Sequence, residues 1–139
     1  MGMILGISAE PGLLRVIATG MFSTDEAERT FVEMLDAVAR VGTSKVLFDG
    51  RRLRGEPDTI QRFLYGDFAA RTVARYIIDP GIPSDSRFAY VLHEPVLDPA
   101  RFGEIVATNR GMWVKAFDDV EQAMEWLTLG TDRRVDAPN

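Results

Sequence analysis

The residues best suited to chemistry follow two apolar runs, each of which is predicted to be a buried strand. "KVLF" at 45–48 is followed by "DGRRLRGEP", and "RFAYVL" at 87–92 is followed by a histidine. Because the carboxyl ends of parallel strands share one edge of a sheet, where ligands of open α/β sheets bind, these side chains are expected around a common rim. Arginines and helix N-termini there favour an anionic ligand or an acidic partner surface. The predicted ligand- or partner-binding residues are Asp49, Arg51, Arg52, Asp58, Thr59 and His93.

His93 is the single histidine of the chain, and its ordinary pKa of about 6.5 suits a general base. A base also needs a nucleophile within reach, and Ser23, the candidate nucleophile, is better explained as a helix cap. No catalytic residue is therefore predicted. A small hydrolase-like enzyme using His93 stays as an alternative, and it requires Ser23 or Asp49 within hydrogen-bond distance of the imidazole.

Two glycines in the same region imitate a phosphate-binding loop. Gly50 and Gly55 have the required spacing, but Glu56 and Pro57 follow where a lysine and a serine or threonine belong. Glu56 would repel phosphate, and Pro57 lacks a backbone donor. The sequence predicts instead that both glycines are turn residues in a loop whose arginines are solvated.

Composition excludes several classes of function. The chain of 139 residues has no cysteine and one histidine, so disulfides and zinc–sulfur sites are excluded and no metal site or cofactor is predicted. The carboxylate pairs Asp25–Glu26 and Asp118–Asp119 stand where helices are expected to begin, which favours capping. A net charge of −5 argues against a nucleic-acid partner. No apolar run approaches the ~20 residues that span a bilayer, and the N-terminus lacks a signal-peptide pattern. No stable membrane insertion and a cytoplasmic location are expected.

The elements that must position these residues follow from periodicity and turn signals. "MILGISA" and "LLRVIATG", separated by "EPG", predict an antiparallel hairpin. Helical and strand patterns then alternate in the order β-β-α-β-α-β-α-β-α, which implies right-handed crossovers. The predicted fold is a single-domain α/β structure with a mixed, mainly parallel five-stranded sheet and four helices. It spans residues 1–130 and is followed by a flexible tail at 131–139.

The second predicted helix carries more apolar surface than one face needs. Ile60, Phe63, Leu64 and Phe68 are assigned to its inner face. The excess can line a lipid-sized pocket, form an interface of a homo-oligomer, or thicken the core.

Three local patterns resemble the SpoIIAA-like family of the STAS superfamily, the anti-sigma-factor-antagonist-like proteins. They are "VLFDGRRLRGE", "RFLYGDFA" and "ATNRGMWVKAFDDVEQAMEWL", and the resemblance covers Met3 to Leu129. It implies a regulatory or docking module without established catalysis, in a fold similar to the lipid-binding CRAL-TRIO fold. Some STAS domains switch by phosphorylation of a serine in an Asp-Ser pair at the start of the second helix. Here Asp58 and Thr59 stand nearby without the Ser-Gly context, which argues against that switch.

The function expected first is therefore a non-catalytic regulatory or binding module. It would dock a protein partner or a small anionic ligand at the carboxyl edge of the sheet. The second expectation is a carrier of a small apolar or lipid ligand, which requires a closed apolar cavity beneath the second helix. The hydrolase-like enzyme is the third.

Overall fold

The computed structural model describes residues 2–129. A five-stranded sheet has the order β1-β2-β3-β4-β5, in which β1 and β2 are antiparallel and the other neighbours are parallel. The predicted fold class and order of elements are confirmed. The tail predicted at 131–139 lies outside the described residues. The elements are β1 (Ile4–Glu10), β2 (Leu13–Met21), α1 (Thr24–Val41), β3 (Lys45–Arg54), α2 (Thr59–Ile78), β4 (Arg87–Val91), α3 (Phe102–Asn109), β5 (Trp113–Phe117) and α4 (Val120–Leu129).

Helices cover both faces of the sheet, and the side chains of each strand alternate between them. The larger core lies between one face and α1, α2 and α3, and it contains Val46, Phe48, Phe88 and Tyr90. The smaller core lies between the other face and α4. It contains Leu47, Ala89, Val91, Phe117, Ala123 and Leu127.

Strand β3 is longer than the sequence predicts. Its pairing with β2 continues through a register shift to Arg54, whereas its pairing with β4 ends at Asp49. The loop predicted after Phe48 is therefore wrong, because the extended β2 provides hydrogen-bond partners for this polar segment. Gly50 lies within the strand, so its prediction as a turn residue is wrong, and Gly55, with φ +118°, lies in the loop that follows β3. Residues 52–54 pair only with the end of β2, and Gly20 and Met21 of that end extend beyond β1.

Helix α1 has the predicted caps. The Ser23 side chain accepts from the Glu26 amide at 3.3 Å, and Gly42 ends the helix with a left-handed φ of +82°. The reciprocal half of the capping box is absent among the described contacts, because the Glu26 carboxylate accepts from the Met3 amide at 3.1 Å and from Arg29 at 2.6 Å. Glu26 thus fastens the start of the chain to the helix.

Helix α2 buries its small residues and exposes large ones. Gly66, Ala69, Ala70, Thr72 and Val73 are buried. The assignment of Ile60, Phe63 and Leu64 to the inner face is wrong: their exposed fractions are 69%, 37% and 42%. The reason is the close approach of α3. A Cβ at Gly66 would lie 2.6 Å from the carbonyl oxygen of Gly103, so only glycine fits at this crossing.

Helix α3 starts later than predicted. Asp98 and Pro99 were expected as its N-cap and first residue, but Arg101 has a left-handed φ of 57°, and the helix begins at Phe102. The Asp98 carboxylate still accepts from the amides of Ala100, at 3.0 Å, and Phe102, at 2.9 Å. The Asp98 carboxylate therefore provides a hydrogen-bond acceptor for the first amide of α3, although Asp98 lies four residues before Phe102.

Candidate functional site

An apolar, partly enclosed cavity of about 130 Å³ lies between the sheet and the helix pair α2–α3. The small residues of α2 and α3 leave this space, because their short side chains do not reach the sheet. The sequence-based carrier hypothesis requires a closed cavity beneath α2; the observed cavity has that position but is partly open. Its apolar lining includes Phe48, Leu53, Ala69, Leu92, Val96, Leu97, Ala107, Met112 and Val114.

Two of the residues that line this cavity are tyrosines joined by a hydrogen bond. The hydroxyl oxygens of Tyr65, on α2, and Tyr90, on β4, are 2.6 Å apart and share a hydrogen bond. The Tyr90 ring stacks on Phe48 at a centroid distance of 4.5 Å, and the Tyr65 ring meets Phe31 edge-on at 5.9 Å. Burial raises the pKa of both Tyr65 and Tyr90. The pair is therefore protonated at neutral pH and held in place by aromatic packing.

Charged side chains at the cavity form hydrogen bonds with backbone atoms of neighbouring segments. The Arg62 guanidinium donates to the carbonyl oxygens of Pro95 and Val96, each at 2.9 Å, and so joins α2 to the loop after β4. The Glu104 carboxylate accepts from the Ala116 amide at 2.9 Å and joins α3 to β5. These contacts hold the two helices around the cavity.

A second, polar depression lies at the carboxyl edge of the sheet. It brings together Asp49, Arg51, Arg52 and His93 beside Ile17. The expectation that the chain segments after β3 and β4 share a rim agrees with this geometry, although the Asp49–Arg52 part belongs to β3 itself. A role of these residues in binding stays a prediction.

The other two predicted residues lie elsewhere. Asp58 caps α2: its side chain accepts from the Gln61 amide at 2.8 Å, and the Gln61 side chain accepts from the Asp58 amide at 2.9 Å. Thr59 is the exposed first residue of α2. Neither residue lines the depression. Their spacing along the chain suggested proximity, but the extension of β3 carries α2 away from this rim.

An ion pair partly neutralises the polar depression. Arg51 donates to both carboxylate oxygens of Asp49, from Nε at 2.9 Å and from a terminal nitrogen at 2.8 Å. The hydrogen bonds from Arg51 hold the pKa of the Asp49 carboxyl below its ordinary value. Arg52 and His93 are both exposed beside this pair. They are the groups of the depression best placed to meet an anion.

The partners required for catalysis by His93 are engaged elsewhere. The Ser23 hydroxyl caps α1, and the Asp49 carboxylate binds Arg51. Among residues 2–129, neither side chain forms a hydrogen bond with the imidazole, and no cluster of three or more acidic or histidine side chains could hold a metal ion. The described helices also lack the combination of length and apolar character needed to cross a bilayer.

The cavity and the depression lie on opposite faces of the sheet. Phe48 and Leu92 line the cavity, whereas their neighbours Asp49 and His93 line the depression. Successive residues of an extended chain point to opposite faces. The neighbours Phe48 and Asp49 therefore face different sites, and so do Leu92 and His93. The cavity is covered by α2 and α3, and the depression opens on the side that α4 covers only in part.

Sequence reasoning missed the tyrosine pair. A hydroxyl in the middle of the buried run "RFAYVL" is an available signal, because a buried tyrosine hydroxyl needs a partner. Its partner Tyr65 could not be chosen from the sequence, since α2 carries several aromatic residues and its inner face is defined by contact with α3.

No protein-family model and no curated protein sequence matches this chain. Solved structures do. An anti-sigma factor antagonist from Mycobacterium paratuberculosis is 10% identical, with a TM-score of 0.57, over 91% of this chain and 95% of that one. An uncharacterized protein with a SpoIIAA-like fold from Shewanella loihica PV-4 is 21% identical, with a TM-score of 0.48, over 91% and 93%. The resemblance seen in the sequence is confirmed at the level of the fold: this chain shares its fold with the anti-sigma factor antagonist.

Proposed function

We propose that this protein is a non-catalytic binding module that holds a small apolar ligand in the cavity between α2, α3 and the sheet. The observation that carries the proposal is the cavity itself, which has an almost wholly apolar lining and a volume of about 130 Å³. An apolar cavity of about 150 Å³ in another protein binds benzene, so a single ring or a short acyl chain is the matching size. The engagement of Ser23 and Asp49 away from His93 supports a binding role over hydrolysis.

The proposal is tested by filling the cavity. Ala69 is 2% exposed and lines it, so Ala69→Leu places three further carbon atoms in the space. Ala74 lies on the exposed side of the same helix, which makes Ala74→Leu a matched control. The probe is methylenecyclohexane, followed by NMR titration of each protein. Wild type and the control should bind it, and Ala69→Leu should not. Binding by Ala69→Leu as tight as by wild type, or failure of wild type to bind both methylenecyclohexane and its ketone analogue cyclohexanone, would reject the cavity as a ligand site.

A second candidate function is docking of an anionic group of a protein partner or small molecule at the polar depression. The exposed positions of Arg52 and His93 beside the Asp49–Arg51 pair favour it, as does the likeness of the fold to an anti-sigma factor antagonist. The regulatory role expected from the sequence belongs to this candidate.

The depression offers a simple measurement. His93 is the only histidine, so its imidazole NMR signals are assigned without further labelling. Inorganic phosphate should shift them in wild type and in Arg54→Ala, and much less in Arg52→Ala. Arg54 is the matched control because it is exposed on the same strand but does not line the depression. Equal shifts in the two variants would exclude Arg52 from anion binding.

A further inference from the structure

The tyrosine pair has one more hydrogen-bond donor than it can use internally. Two hydroxyl groups bring two O–H donors, and the contact of 2.6 Å between them uses one. Among residues 2–129, neither hydroxyl has a further hydrogen-bond partner. Tyr90 is 7% exposed and Tyr65 is half-buried, so the remaining donor has limited access to bulk water. Both residues line the apolar cavity, which is where an acceptor could approach.

The position and protonation of this donor are well defined. The Tyr90 ring is stacked on Phe48, and Tyr65 is packed edge-on against both Phe31 and Tyr90. The rings cannot turn their hydroxyls toward solvent without breaking these contacts. Because burial raises the pKa of both Tyr65 and Tyr90, neither hydroxyl loses its proton near neutral pH.

We propose that the Tyr65–Tyr90 pair selects, among small apolar molecules, those that carry one uncharged hydrogen-bond acceptor, such as the oxygen of a ketone or an ester. This inference rests on the proposed function of the cavity. An acceptor oxygen at the pair would satisfy the remaining donor, whereas a pure hydrocarbon would leave it unsatisfied.

The charge of the ligand follows from the surroundings of the cavity. The two arginines that line it are balanced by two carboxylates that also line it: Asp98 interacts with both Arg62 and Arg101, and Glu104 lies 4.0 Å from Arg101. A carboxylate buried against one hydroxyl would lose its hydration without gaining a counterion, which is strongly unfavourable. A neutral acceptor pays a much smaller desolvation penalty, and one hydrogen bond offsets it.

The test compares two molecules of the same shape. Cyclohexanone and methylenecyclohexane differ only in an oxygen or a CH2 group at one position, so their affinity ratio reports the polar contact. The ratio is measured by NMR titration for wild type and for Tyr65→Phe/Tyr90→Phe. Removing both hydroxyls together leaves no unpaired partner, so this variant should fold. Tyr76→Phe is the matched control, because the Tyr76 hydroxyl donates to Asp36 at 2.7 Å and does not line the cavity.

The double variant should lower the affinity for cyclohexanone relative to methylenecyclohexane by about two- to tenfold, as expected for one lost hydrogen bond. The control should keep the wild-type ratio. If wild type binds methylenecyclohexane but the ratio is the same in the double variant, the tyrosine inference is overturned and the cavity proposal stands. If wild type binds neither molecule, the cavity proposal is overturned and the inference with it.

Discussion

The crossing of α2 and α3 depends on a glycine, and Gly66→Ala tests this directly. The added Cβ would lie 2.6 Å from the Gly103 carbonyl oxygen and 3.3 Å from the Val106 Cβ. The first distance is far inside van der Waals contact. The obstacle is backbone of another helix, which cannot rotate aside, so α3 must move away from α2.

Two opposing effects determine the magnitude. Alanine is favoured over glycine within a helix by up to ~1 kcal/mol. Overpacking in a well-packed region costs about 1–3 kcal/mol, and a rigid backbone obstacle places this case at the upper end. The steric effect therefore exceeds the gain in propensity, and we expect Gly66→Ala to lower the free energy of unfolding by about 1–2 kcal/mol.

Gly103 provides the matched control from the other side of the same contact. A Cβ there would lie 3.4 Å from the Arg62 carbonyl oxygen, which is ordinary contact. Gly103→Ala should therefore leave stability unchanged or raise it by less than about 1 kcal/mol. Urea unfolding of both variants, with equal m-values as a check, gives the comparison. If Gly66→Ala is as stable as Gly103→Ala, the close-approach explanation is refuted.

Three further variants test the electrostatics, a helix cap and the core. The Asp49 pKa is lowered by Arg51, so the ionised carboxylate contributes stability that is fully present above the ordinary aspartate pKa of about 3.9 and is lost as pH falls through the lower folded value. The stability advantage of wild type over Asp49→Asn should therefore shrink in urea titrations below pH 4; a constant difference would contradict the pairing. Ser23→Ala removes the acceptor for the Glu26 amide and should cost about 1 kcal/mol, whereas Ser23→Thr should keep most of it. Phe31→Ala empties a fully buried site and should cost about 3–5 kcal/mol in urea unfolding, and a loss below 1 kcal/mol would show that the site collapses.

The order of elements was predictable from the sequence because it depends on local signals. Turn residues at Glu10–Gly12, a serine cap at Ser23 and a glycine at Gly42 mark boundaries without reference to the rest of the chain. The length of β3 was not predictable in the same way. Its second half is polar and arginine-rich, and it forms a strand because β2 offers hydrogen-bond partners from far away in sequence.

The orientation of α2 shows a different limit of prediction from the sequence. Hydrophobic periodicity assumes that large apolar residues point inward, but the contact with α3 at Gly66 requires small ones there. Ile60 and Leu64 are exposed as a result. The polar rim was inferred from the topology of parallel strands, and Asp49 and His93 do lie together. The tyrosine pair depends on tertiary packing that no local pattern encodes.

The segment 52–54 of β3, which pairs only with the end of β2, has a consequence for access to the cavity. Leu53, at its centre, lines the cavity wall, yet this part of β3 is bonded to a neighbouring strand on one side only. A strand segment that is hydrogen-bonded to one neighbouring strand opens at a lower free energy than a segment that is hydrogen-bonded on both sides. Native-state hydrogen exchange should therefore find the amides of 52–54 exchanging well before those of 46–48. Local opening at Leu53 would then give a ligand access to the cavity while the middle of the sheet stays intact.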